Sequence, residues 1–173
     1  MNGSPDPAAA LALGLAVFPL DGRVPARSDW AVAGTRDLAR IRAWPRGANI
    51  GVGCRANGLI VLDLDRHPGA ADGVAAWARL RAAAGAGEPD TVRVHTPRGG
   101  IHLYFRAPQG FWFASGAVVP GIDARAPGRV SGGYVLGPGS VVAGRVYRAE
   151  GGVIAALPNW LVPLLPGRPA VSG

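Results

Sequence analysis

At 173 residues and 17.6 kDa the chain is the size of one domain able to bury a real core, and 49% hydrophobic content with five Trp excludes a disordered polymer despite 27 Gly and 16 Pro. The formal charge is +7 and every basic residue is Arg. This points either to an anionic partner such as nucleic acid or nucleoside triphosphates, or to a GC-rich genome that supplies Arg in place of Lys. Cys54 is the only cysteine, which excludes a disulfide framework and a cysteine-based zinc site and makes a reducing cytoplasm the simplest compartment.

The apolar run from Ala8 to Leu20 follows Ser4-Pro5-Asp6-Pro7 in place of a basic leader and is too short to span a bilayer, so no membrane partner is expected. It reads as a helix over Ala8 to Ala16 leading into a strand over Val17 to Leu20, with a turn at Asp21-Gly22. Thr35 is placed to cap a second helix that runs to Trp44 and stops at Pro45. Asn49 to Gly53 predicts a short strand and Leu59 to Asp65 another, paired as a hairpin through a turn at Asn57-Gly58. Ala70 to Ala84 predicts a helix stopped by Gly85 and Gly87. Thr91 to Thr96 and Ile101 to Arg106 alternate around the turn Pro97-Arg98-Gly99-Gly100, which predicts a second hairpin. Short strands follow near Val118-Val119, Gly133 to Leu136 and Val141 to Tyr147, then a last helix around Asn159 to Leu165. Residues 1–165 read as a single domain and 166–173 as a loose tail.

Three segments carry candidate chemistry. In Leu59 to Asp65 the period of two puts Leu59, Val61, Asp63 and Asp65 on one strand face, so two carboxylates start about 7 Å apart, close enough to share hard cations such as Mg²⁺ or Mn²⁺. The competing role is the plain end of a buried strand. In the second segment Gly100, His102, Tyr104 and Arg106 share a face, against Ile101, Leu103 and Phe105 on the core side. His102 then stands behind a Gly-Gly turn, where it can donate to a phosphate oxygen with Arg98 adding charge; the competing role is a surface His, to which His67 and His95 are also left. The third, Gly121-Ile122-Asp123-Ala124-Arg125, brings one more carboxylate ahead of Gly132-Gly133-Tyr134 and Pro138-Gly139-Ser140; the competing role is an exposed Asp123–Arg125 pair of small energy. Tyr134 and Trp112 are candidates to stack on a base, with core packing as the alternative for each. There is no Gly-Lys-Ser/Thr phosphate loop and no Gly-x-Ser-x-Gly elbow.

Taken in order, these segments resemble the prim-pol domain of the archaeo-eukaryotic primase superfamily, the bifunctional DNA primase/polymerase type. Val61-Leu62-Asp63-Leu64-Asp65 is similar to its first motif, Gly99-Gly100-Ile101-His102 to its second and Gly121-Ile122-Asp123 to its third. Gly22-Arg23-Val24-Pro25 with Trp30, and Ala48 to Gly53, resemble the stretches before the first motif, so the likeness covers about Leu15 to Tyr147. The resemblance implies an α+β fold in which an amino-terminal α/β unit packs on an RNA-recognition-motif-like unit, with the active site between them. It also implies two Mg²⁺ or Mn²⁺ ions held by Asp63, Asp65 and Asp123, nucleotide phosphates bound by His102, and Gly100, Arg98, Arg125 and Ser140 as further nucleotide-binding residues. The implied activity is template-directed nucleotidyl transfer from nucleoside triphosphates onto a 3′-hydroxyl on single-stranded DNA, with a helicase as partner in cis or in trans. Two departures stand out: Arg125 to Ser131 is longer than the family's shortest versions, and Arg23 replaces a usual Lys. Two rival readings are a silent nucleic-acid- or nucleotide-binding module and a metal-dependent nuclease or phosphohydrolase.

Overall fold

A computed structural model of the chain describes residues 3–169 apart from 110 and 131 and shows an α+β fold with mostly antiparallel sheets and few helices. The first helix, α1 (Ala8–Ala12), is shorter than its alanines predict, because Gly14 takes a left-handed φ of 72° and ends it. Strand β1 (Val17–Asp21) turns through Gly22 into β2 (Val24–Pro25). Helix α2 (Leu38–Arg42) starts later than expected, since Asp37 and not Thr35 caps it; Thr35 instead bridges to Val17.

Strand β3 (Asn49–Gly53) and strand β4 (Leu59–Leu64) do not form the predicted hairpin. A one-turn helix, α3 (Cys54–Asn57), intervenes, and Gly58 at φ 60° sends the chain into a different sheet. The Asn57 side chain, expected at a turn, is buried and clamps the two sides of this junction, accepting from the Ala16 N–H and donating to the Ala16 and Gly53 carbonyls.

Next come α4 (Gly73–Ala83), capped by Asp72, then β5 (Arg93–His95) and β6 (Ile101–Arg106), which pair as expected with Arg93 opposite Leu103 and His95 opposite Ile101. They are followed by β7 (Phe111–Phe113), β8 (Gly116–Val119), β9 (Ile122–Arg125) and β10 (Tyr134–Leu136). The segment read as one strand from Val141 is a hairpin of β11 (Val141–Val142) and β12 (Arg145–Val146), turned by Ala143 and Gly144, both at positive φ. Strands β13 (Arg148–Glu150) and β14 (Ala155–Ala156) precede the last helix, which lies where expected and is a 3₁₀ helix over Asn159–Leu164 with Pro163 inside it. In the tail expected to be loose, β15 (Gly167–Pro169) pairs with β7, and residues 170–173 lie outside the described residues. No described helix is long and apolar enough to cross a membrane.

Two sheets organise the molecule. One has the order β10-β3-β1-β2, the other β13-β5-β6-β4-β9-β8 with β14 joined to β6. The larger sheet is covered on both faces, so β4 is apolar at nearly every position. Ile60, Leu62 and Leu64 pack with Leu103, Phe105 and Ile122 against Ala76 and Trp77 of α4 and Leu161 of the 3₁₀ helix. Leu59 and Val61 face the other way, joining Tyr104, Val52, Val17 and Val135 in the layer shared with the smaller sheet. That second layer is apolar until the chain reaches Asp63 and His102, where the gap between the sheets opens into a polar cavity.

Candidate active site

Ladder register places the chemistry. In β4, Asp63 stands directly opposite His102 of β6 on one side and Asp123 of β9 on the other. Antiparallel partners put their Cβ atoms about 5 Å apart on the same face. The three residues therefore form one row across three strands, although 39 and 21 positions separate them along the chain. Continuing the row, Val94 of β5 lies beyond His102 and Ala117 of β8 beyond Asp123.

Asp65 follows just past β4 and is pinned through its backbone: its N–H donates to the Gly121 carbonyl at 2.9 Å and its carbonyl accepts from Gly73 at 2.8 Å. Gly73 and Gly121 must be glycine for this approach, because a Cβ on Gly73 would lie 2.7 Å from the Asp65 nitrogen and one on Gly121 2.8 Å from the Gly73 nitrogen. Gly100 has a similar cause, since its Cβ would lie 2.6 Å from the Leu64 carbonyl oxygen. The absence of a side chain there lets the turn before β6 close on the end of β4.

The cavity has a volume of about 690 Å³, a size that suits a small-molecule ligand. Asp63, Asp65, Arg98, His102 and Arg125 all line it. Asp123 and Gly100 are not among the lining residues, and Asp123, with a side chain 38% exposed, is held by Arg125 at 3.1 Å. Ser140 is not among the lining residues: it is fully buried, and its hydroxyl donates to the Ile50 carbonyl and accepts from the Ile50 N–H, fastening the chain after β10 to β3.

Several lining residues escaped the sequence reading. His67, set aside as a surface residue, sits 3.2 Å from Asp65 and 3.4 Å from Arg98. Its proximity to Asp65 at a separation of two was the available signal. Arg66 needed only the same proximity, whereas Arg145, which reaches the rim from the β11–β12 hairpin and donates to the Pro97 carbonyl at 3.1 Å, left no signal. His95, also set aside, is paired on the surface with Glu150 at 2.7 Å.

Electrostatics follow from burial. The Asp63 side chain is 18% exposed, and its pKa is pushed up to about 6, first by burial and next by the nearby charge of Asp65. Arg125, 4.0 Å away, opposes that rise only in part. His102 is 5% exposed and its pKa falls to about 4, through burial and then the charge of Arg125, so its ring is neutral at pH 7. Its 3.4 Å approach to Asp63 is therefore a contact between an imidazole and a carboxylate and not an ion pair. The Leu136 backbone raises the His102 pKa slightly, yet Nδ1 makes no hydrogen bond of good geometry.

The donors suit a hard cation. Carboxylates come from β4, its extension and β9, with no cysteine among them, and Asp65 and Asp123 both push the Asp63 pKa up, a repulsion that a divalent ion would relieve. Among the described residues, no three His, Cys, Asp or Glu side chains already form a closed metal cage. Arg125 draws Asp123 and His67 contacts Asp65, so both acids have cationic or neutral partners in place. Around the acids Arg23, Arg66, Arg98, Arg125 and Arg145 outnumber Asp63 and Asp65, giving a lining that favours a polyanion.

The family model Prim-Pol, described as bifunctional DNA primase/polymerase, N-terminal, matches residues 7–160. No curated protein matches the chain.

Proposed function

Since this chain belongs to the Prim-Pol family of bifunctional DNA primase/polymerase N-terminal domains, we propose that it is a DNA-dependent nucleotidyltransferase. It adds nucleotides from nucleoside triphosphates to a 3′-hydroxyl on a single-stranded template. The observation that carries this reading is the row of His102, Asp63 and Asp123, of which His102 and Asp63 line an arginine-rich cavity.

In this reading Asp63, Asp65 and Asp123 hold two Mg²⁺ or Mn²⁺ ions. Bound there, such ions supply Lewis-acid activation of the attacking hydroxyl and charge stabilisation at the leaving pyrophosphate. The chain's own side chains bind and orient. Arg98, Arg125 and Arg145 offer planar forks to phosphate oxygens, and Arg125 also supplies countercharge to Asp63 and Asp123. His102, neutral and walled in, donates one ring N–H to a phosphate without adding a charge. Sheet packing around the row excludes water on its inner side, which strengthens each of these interactions. In this reading the larger sheet with its helical layer is the RNA-recognition-motif-like unit, the smaller sheet belongs to the amino-terminal α/β unit, and the two form one domain.

The test is extension of a primed single-stranded template by the wild-type chain with Mn²⁺ and nucleotides, beside Asp63→Ala. Extension by the wild type alone, with both proteins folded, supports the reading. Template or nucleotide binding without incorporation would leave a silent module, and shortening of the strand would leave a hydrolase.

A further inference from the structure

The same cavity has an aromatic flank to which the acid row assigns no task. Trp30 and Tyr134 both line it. Their rings meet edge to face, 4.9 Å apart and inclined by 64°, and each packs on Phe18, at 5.5 Å and 5.8 Å. Phe18 is a fixed base for them: it is 1% exposed in the β1–β3 ladder and lies over Gly51, where any Cβ would collide with its ring.

Tyr134 is held at both ends. Its backbone pairs across Gly53, and its hydroxyl donates to the Arg23 carbonyl at 3.0 Å, so the cavity receives ring surface and not a free hydroxyl. Trp30 comes from the segment between β2 and α2, which closes through the Val17–Thr35 bridge and carries an exposed Arg27–Asp29 pair and a 75% exposed Val32. The indole is only half-buried by its two aromatic neighbours. Tyr134 and Leu136 are two residues apart on β10, hence about 7 Å along it, and the Leu136 backbone faces the His102 ring. The flank and the residue proposed to meet the triphosphate line the same cavity.

We propose that Trp30 and Tyr134 are the platform for the nucleoside end of the substrate nucleotide, taking its base or sugar by stacking; this rests on the nucleotidyltransferase reading above. Every base has a π face, so stacking accepts any nucleotide that a template demands, and no hydrogen-bonding edge is read.

The experiment measures binding to the whole chain with Mn²⁺ of two probes, ATP and inorganic tripolyphosphate, together with the emission of 2-aminopurine riboside triphosphate. The wild type should bind ATP about ten-fold more tightly than tripolyphosphate and quench the 2-aminopurine. Trp30→Leu should lose that roughly ten-fold advantage and the quenching while keeping its affinity for tripolyphosphate, and Trp30→Phe should recover most of both. Equal affinities for the two probes in the wild type, with the 2-aminopurine bound but unquenched, overturn the platform and leave the nucleotidyltransferase reading standing. That outcome is read on the wild type and needs no variant to fold. Unchanged ATP preference in a folded Trp30→Leu protein overturns it as well. Failure of the wild type to bind either probe removes the nucleotidyltransferase reading and the platform with it.

Discussion

Asp63→Asn should make the metal-free protein more stable at neutral pH while removing its response to divalent cations. The Asp63 carboxyl titrates at about 6 in the folded chain against 3.8 in the unfolded one, because burial and the charge of Asp65 disfavour its ionised form. A folded-state pKa above the unfolded value means that the native state binds the proton more tightly. Ionisation of this one acid therefore costs stability as pH rises from about 4 to about 6, and the cost is fully present above that window. About two units at about 1.4 kcal/mol each give a ceiling of about 3 kcal/mol, and relaxation around a side chain 18% exposed brings the expected gain to about 1–3 kcal/mol. For a chain of this length that is a rise in Tm of roughly 3–10 °C. The assay is thermal unfolding of both proteins in chelator at pH 7.5 and pH 4, then with Mn²⁺. The gain should be large at pH 7.5, nearly absent at pH 4, and reduced or reversed by Mn²⁺, which stabilises only the wild type. An Asp63→Asn protein no more stable than wild type in chelator at pH 7.5 would refute the argument that uncompensated charge is stored at the row.

Other outcomes are expected from the same structure. Gly100→Ala puts a methyl 2.6 Å from the Leu64 carbonyl oxygen, so it should cost about 1–3 kcal/mol by denaturant unfolding and depress template extension by displacing the end of β4. Ser140→Ala leaves the Ile50 N–H without its acceptor, so it should lower stability by about 1–3 kcal/mol, with nucleotide affinity of the folded protein unchanged; a selective loss of affinity would return Ser140 to the site. Cys54 is fully buried and its thiol is pushed up to about 12, so iodoacetamide at pH 8 should leave the native protein unmodified and label it only in step with urea unfolding.

The period of two in Leu59 to Asp65 and in Ile101 to Arg106 was enough to sort residues onto faces, and Asp63 and His102 do share one. Alternation is silent on what covers a face. The side holding Gly100, His102 and Tyr104 read as the outer one, whereas Tyr104 is fully buried beneath the smaller sheet and His102 is 5% exposed. The failed hairpin has a related cause: Asn57-Gly58 has the composition of a tight turn, but the Asn57 side chain is engaged by the distant Ala16 backbone, with the nearby Gly53 carbonyl taking its second N–H. No local pattern encodes such a partner 41 residues away. Strands of two residues, such as β11, β12 and β14, have too few positions to show a period: β14 is held by the longer β6, while β11 and β12 pair only with each other across a tight turn. Arg145 reached the cavity by that route, on a hairpin that no periodicity announces.

The row of His102, Asp63 and Asp123 is addressed by which rungs of two ladders coincide, and not by counting along the chain. Chain length in 66–92 and 107–115, outside those rungs, can therefore vary between relatives, or be altered by insertion, with the three side chains still meeting. Deleting Ile101 is a different matter: His102 then takes its rung, and the imidazole turns to the helical side of the sheet and leaves the acids without it. A designer grafting this centre onto another scaffold should copy three paired strands in register together with the glycines at 73, 100 and 121 that close on the end of β4.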